Sequence, residues 1–196
     1  MNEVPNDASP ALAARGGPSR RSLVKKGLVG GAILLVGGSV PILFRSGSPP
    51  RPPQVALRVL DPREYETFAA AAGRLCAPGP GAGTWPSAEA VACAEKVDAL
   101  LARLHPKVAA EFRQLLRVFE NAMTGLLSVG SPTAFTRSAP ALQDRRLEAW
   151  RHSRVELFRS GYQAMKRLAH ATYYSSPETY ARVGYSGPPV VPPVPA

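Results

Sequence analysis

The sequence predicts an all-α domain, a small bundle of about five helices. Apolar residues recur at three-and-four spacing in several separate segments. Proline stands at the start of some of them, and no stretch reads as a convincing strand. Residues 57–188 carry this pattern.

The domain opens with the short apolar run Leu57-Arg58-Val59-Leu60. Asp61 then offers an N-cap, Pro62 fits the first helical position, and Glu64 stands where a capping box needs it. Tyr65, Phe68, Ala72 and Leu75 face one way along this first helix, which Pro78-Gly79-Pro80-Gly81 stops. After Thr84-Trp85-Pro86, Ser87 caps a second helix whose apolar face is Val91, Ala94, Val97, Leu100, Leu101 and Leu104. His105-Pro106 begins a third. Its stripe of Phe112, Leu115, Leu116, Phe119, Met123, Leu126 and Leu127 predicts one continuous helix up to Gly130-Ser131-Pro132. A fourth region runs from about Pro140 to Trp150 and a fifth from about Ser153 to Tyr174, either separate or one helix bent near His152. Ser176-Pro177-Glu178 restarts a short turn, and Gly184-Tyr185-Ser186-Gly187-Pro188 closes the domain before a proline-rich tail, residues 189–196.

Ahead of the domain the chain carries an address. Residues 1–18 are polar and read as disordered; residues 19–46 match a twin-arginine signal, with Arg20 and Arg21 followed by Lys25 and an apolar run from Gly27 to Phe44. Five glycines in that run keep it weakly hydrophobic, as suits a twin-arginine signal better than a general secretory one. The run sits at the lower edge of spanning length. No Ala-x-Ala site follows it, so cleavage and retention as an anchor both remain open. Residues 47–56 form a proline-rich linker. This organisation predicts a protein of the periplasm.

The 196 residues carry a formal net charge of +10, which at first suggests nucleic acid. Residues 1–50, with six Lys or Arg against Glu3 and Asp7, supply +4 of it. The remainder is spread along helices with no block of interleaved basic and aromatic residues, which argues against a nucleic-acid partner. The two cysteines, Cys76 and Cys93, lie in the exported part, where an oxidising compartment favours a disulfide worth about 3 kcal/mol. Two buried free thiols, or a bridge to a partner chain, are the alternatives.

No catalytic constellation emerges. His105, His152 and His170 have no metal-ligand spacing, and His152 and His170 suit surface or capping roles. The glycines at 79–83 follow no strand, so they form a loop rather than a phosphate cradle. Glu111, Glu120, Glu148 and Glu156 fall where helical charges face water. The chain reads as no enzyme by itself, with no catalytic residue, cofactor or metal of its own. The C-terminal third is distinctive instead. Trp150, Arg154, Tyr173, Tyr174 and Tyr185 are residue types that anchor interfaces, and they predict a partner surface. The competing reading is that the aromatics cap the core.

Leu60-Asp61-Pro62, Leu104-His105-Pro106, Trp150 with Ser153 and Arg159, Tyr173-Tyr174-Ser175-x-Pro177 and Gly184-Tyr185-x-Gly187-Pro188 occur in that order behind the export signal. In this the chain resembles subunit 3, the gamma or small subunit, of gluconate 2-dehydrogenase and related flavin-dependent sugar and polyol dehydrogenases. It departs from that pattern at Ser176, where an acidic residue is frequent. The resemblance implies a non-catalytic accessory subunit and chaperone. Its expected partners are a large FAD-dependent flavoprotein of the glucose-methanol-choline type, a multihaem cytochrome c subunit carrying haem c, and the twin-arginine translocase. Arg20 and Arg21 would engage the translocase. The alternative is an exported helical binding or scaffold protein with an unrelated partner.

Overall fold

The computed structural model describes residues 53–79 and 83–187. These form seven α-helices and a closing 3-10 turn, with no strand among them. The helices are α1 (Pro62–Leu75), α2 (Cys93–Leu101), α3 (Pro106–Glu120), α4 (Ala122–Val129), α5 (Pro140–Arg151), α6 (Glu156–Tyr174) and α7 (Pro177–Tyr180); the turn is Ala181–Val183. The all-α class stands. The segment expected to be an export signal, with Arg20, Arg21 and Lys25, the apolar run to Phe44 and the tail from Pro188 lie outside the described residues. No helix of the described residues is long and apolar enough to cross a membrane.

Helix α1 is the hub, packing on α2, α3, α5 and α6. It starts with the expected capping box: Asp61 Oδ1 accepts from the Arg63 and Glu64 amides at 3.0 and 2.9 Å, and Glu64 Oε2 accepts from the Asp61 amide at 2.9 Å. Glu64 is buried, and its charge is met by Arg113 Nε and Arg117 Nε of α3, each at 2.7 Å. The lead-in run is tied down by a residue that carries no sequence signature of its own. Asp98 of α2 accepts from the backbone amides of Arg58, Val59 and Leu60 at 2.7, 2.9 and 2.8 Å. Three charge-assisted bonds to one buried carboxylate hold the bend at Arg58 and Val59, and Leu60 enters the core.

The core centres on Phe68, Leu116, Phe119, Trp150 and Met165, all fully buried. Phe119 meets Trp150 edge-on at 4.7 Å, and Trp150 stacks on Phe158 at 4.6 Å. Helices α5 and α6 are separate, with α5 ending at His152 and α6 beginning after the extended Val155. The second helix starts later than expected. Ser87 Oγ caps only a turn, accepting from the Ala90 amide at 3.0 Å, and the left-handed Ala92 then turns the chain into α2.

The largest departure from expectation is the third helix, which is two helices. At Asn121 the backbone turns extended (φ −61°, ψ 135°), and its side chain accepts from the Met123 amide at 2.8 Å to cap α4. The stripe predicted from Phe112 to Leu127 therefore divides. Phe112, Leu116 and Phe119 are buried, whereas Met123, Leu126 and Leu127 face outward.

Candidate functional site

Two surfaces stand out, one at the C-terminal end of α6 and one on α4. At the first, the Tyr173 hydroxyl donates to the Pro86 carbonyl at 2.7 Å and pins the loop before α2. This places Trp85 against the ring of Tyr173 (6.5 Å, stacked) and edge-on to Tyr174 (6.5 Å). The guanidinium of Arg182 lies over the Trp85 ring, 6.0 Å from its centroid. His170 Nε2–H donates to the Leu75 carbonyl at 3.2 Å and so closes the C-terminus of α1, a capping role as expected. Ser176 is buried and takes a hydrogen bond from the Lys96 ammonium, tying α7 to α2.

Beneath this aromatic ledge opens a cleft of about 250 Å³, lined mainly by Tyr65, Ala72, Cys76, Trp85, Pro86 and Cys93. Both cysteines are free thiols, which corrects the expected disulfide. Cys76 caps the end of α1 and Cys93 opens α2. Both line the cleft, and neither enters a disulfide among the described residues. Interaction with Cys93 and burial push the Cys76 thiol up, while interaction with Cys76, with help from Thr172 and Lys96, pulls Cys93 down. Burial raises the Tyr173 phenol.

The predicted contact residues separate into two groups. Trp150 and Tyr173 are core residues, fully buried: Trp150 lies between Phe119 and Phe158, and Tyr173 is covered by the Trp85-Pro86 loop. For these two the core-capping alternative holds. Tyr174 and Tyr185 are exposed at 44% and 47%, and Arg154 is exposed as well. Arg154 precedes the N-terminus of α6 whereas Tyr174 ends it; 19 helical residues, a span of about 28 Å, keep the two apart. Tyr185 packs edge-on to Tyr180 at 5.2 Å, close to the ledge.

The second surface is α4, an eight-residue helix without a charged side chain, on which Met123, Leu126 and Leu127 are exposed at 40%, 43% and 76%. Its inner side is fixed from α5. Arg146, 1% exposed, donates through Nη1 to the Thr133 carbonyl at 3.1 Å and through Nη2 to the Asn121 carbonyl, with its guanidinium over the Phe119 ring. Burial lowers Arg146 to about 10, against the opposing pull of Glu120. Glu120, expected to face water, accepts instead from the Thr136 hydroxyl at 2.6 Å and the Thr136 amide at 3.1 Å. Gly125 is where the loop closes on α4: a Cβ there would stand 2.6 Å from the Ser131 carbonyl oxygen and 2.9 Å from Arg146 Nη1. The α4 surface was not foreseen, although Asn121 in mid-stripe was the available signal.

Among the described residues no three His, Cys, Asp or Glu side chains gather as metal ligands. Comparison with protein-family models, with curated proteins and with solved structures gives no match.

Proposed function

We propose that this chain is the non-catalytic small subunit of a periplasmic, membrane-associated, FAD-dependent dehydrogenase complex, and that it escorts the flavoprotein through twin-arginine export. The resemblance set out above supports the reading, and one structural observation carries it: the uncharged face of α4, where Met123, Leu126 and Leu127 stand together outside the core. Three large apolar side chains on one short helix mark a surface that gains by being covered. In this reading the flavoprotein covers them, FAD is bound by that partner, and haem c by a third, cytochrome subunit.

A docking surface that fits only a native partner also gives the escort a means of testing foldedness before export. The experiment is co-expression with the flavoprotein encoded beside this chain, followed by co-purification of wild type and of Leu127→Asp. Leu127 makes little use of the core, so its substitution should leave this domain folded and reduce recovered flavoprotein at least tenfold. Equal recovery would remove α4 as the docking surface. Failure of the wild type to co-purify would instead favour a scaffold with an unrelated partner.

A further inference from the structure

The aromatic ledge lies beside the point where the described chain leaves the domain. Arg182, whose guanidinium is 6.0 Å from the Trp85 ring, stands only five residues before Gly187. Between them the chain folds back on α7. The Tyr185 amide donates to the Tyr180 carbonyl at 3.0 Å, and Gly187 is half-buried against the Tyr180 ring, where an added Cβ would stand 3.6 Å from two ring carbons. The Tyr180 hydroxyl in turn donates at 2.9 Å to the carbonyl of Ser175, the neighbour of Tyr174. Gly187 takes φ +101°, a conformation that favours glycine, so the turn at the exit is written into the sequence.

Residues 188–196 follow directly and read Pro-Pro-Val-Val-Pro-Pro-Val-Pro-Ala. Pro189, Pro192 and Pro195 recur at every third position, the repeat of a polyproline helix, and make one ridge with two successive Pro-x-x-Pro steps. Such ridges dock against aromatic rings, and their preset backbone loses little entropy on docking. At about 3.1 Å per residue the segment reaches about 28 Å, enough to pass Tyr174 and cross Trp85. It carries no charged side chain. The cleft itself is mixed in character. Glu89 and Glu95 line it together with Trp85, and Glu95 Oε1 accepts from the Tyr65 hydroxyl at 2.6 Å. An uncharged ridge therefore matches the rings above the cleft, Trp85 and Tyr174, rather than its interior.

We propose that the Trp85–Tyr174 ledge is a binding site for a polyproline helix, and that its occupant is residues 188–196 of the same chain, laid across the two rings to roof the cleft. Attachment at Gly187 favours this occupant over any free one. A short tether sets an effective concentration of about millimolar, so that even a weak proline contact is held. Tyr174, 44% exposed, then serves the chain's own tail, which leaves α4 free for another protein. The proposal does not depend on the identity of the partner that docks on α4.

The test reads Trp85 directly, because the other tryptophan, Trp150, is fully buried. The full chain in detergent is compared with a chain ended at Gly187 and with the full-length Pro189→Ala/Pro192→Ala/Pro195→Ala variant. Both changes should at least double the quenching of tryptophan fluorescence by acrylamide, with the helical circular dichroism unaltered. A synthetic peptide of residues 188–196 at millimolar concentration should restore the shielding to the shortened chain. Tyr174→Ala, at an exposed position, should weaken that restoration at least fivefold. Equal quenching with and without the tail, a peptide that restores nothing, or equal restoration in Tyr174→Ala would each overturn the site. Shielding that appears only as light scattering reports a dimer would assign the ledge to the tail of a second copy and overturn the intramolecular occupant.

Discussion

Gly161 of α6 lies directly against the indole of Trp150 in α5. A Cβ added at Gly161 would stand 2.9 Å from Trp150 Cζ3 and 2.5 Å from Leu115 Cδ1, so the glycine is what lets α6 close over the tryptophan. Gly161→Ala therefore sets two effects against each other. Alanine gains about 1 kcal/mol of helix propensity, while overpacking a rigid ring costs about 1–3 kcal/mol. The packing term should win, leaving a net loss of about 1 kcal/mol in denaturant unfolding. A stabilised variant would show that α5 and α6 do not meet as described.

Asp98 is the corresponding control on the lead-in segment. Asp98→Ala removes the acceptor of three backbone amides and should cost about 3 kcal/mol or more, since donors left unpaired in a buried position lose most. Asp98→Asn, which can still present one oxygen to Val59 and Leu60, should cost less. Hydrogen exchange at the amides of Arg58, Val59 and Leu60 reports this directly. Unchanged protection in Asp98→Ala would contradict the clamp.

Glu120 gives the domain a specific pH dependence. Burial raises its carboxyl above the ordinary 4.5, in spite of the Thr136 hydrogen bonds and the charge of Arg146. A carboxyl with a raised folded-state value favours folding while it is protonated. That contribution is present in full below 4.5 and is lost as pH rises through the folded value. Glu120→Gln should remove this part of the decline in stability above 4.5, read from unfolding curves collected from acid to neutral pH. A pH profile identical to wild type would exclude Glu120 as its source.

Local chemistry made parts of this fold legible and left others out of reach. Asp61, Pro62 and Glu64 lie within one turn, so their capping box could be read directly and occurs as read. The stripe from Phe112 to Leu127 was misread because periodicity alone does not register a break that keeps roughly the same phase. The break at Asn121 is held by Arg146, 25 positions away, which bonds the Asn121 carbonyl. Asp98 was equally hidden, since its three partners are amides about 40 residues earlier. Among the proposed contact residues, residue type was informative but orientation was not: adjacent Tyr173 and Tyr174 differ only in which side of α6 they occupy, and one is buried while the other is exposed.

The cap at Asn121 is itself testable. Asn121→Ala should cost about 1 kcal/mol by loss of the side-chain bond to the Met123 amide. It should also relax the outward presentation of Leu126 and Leu127, seen as weaker recovery of the flavoprotein. Unaltered stability together with unaltered recovery would mean that α4 is positioned by Arg146 alone.

The central claim is that this chain carries a folded flavoprotein across the membrane on its own signal. The most direct measurement co-expresses the two chains and assays flavin and dehydrogenase activity in the exported fraction, comparing wild type with Arg20→Lys/Arg21→Lys. The account predicts that flavoprotein and activity vanish from the exported fraction of the double variant and accumulate inside the cell. Export of active flavoprotein regardless of Arg20 and Arg21 would contradict it.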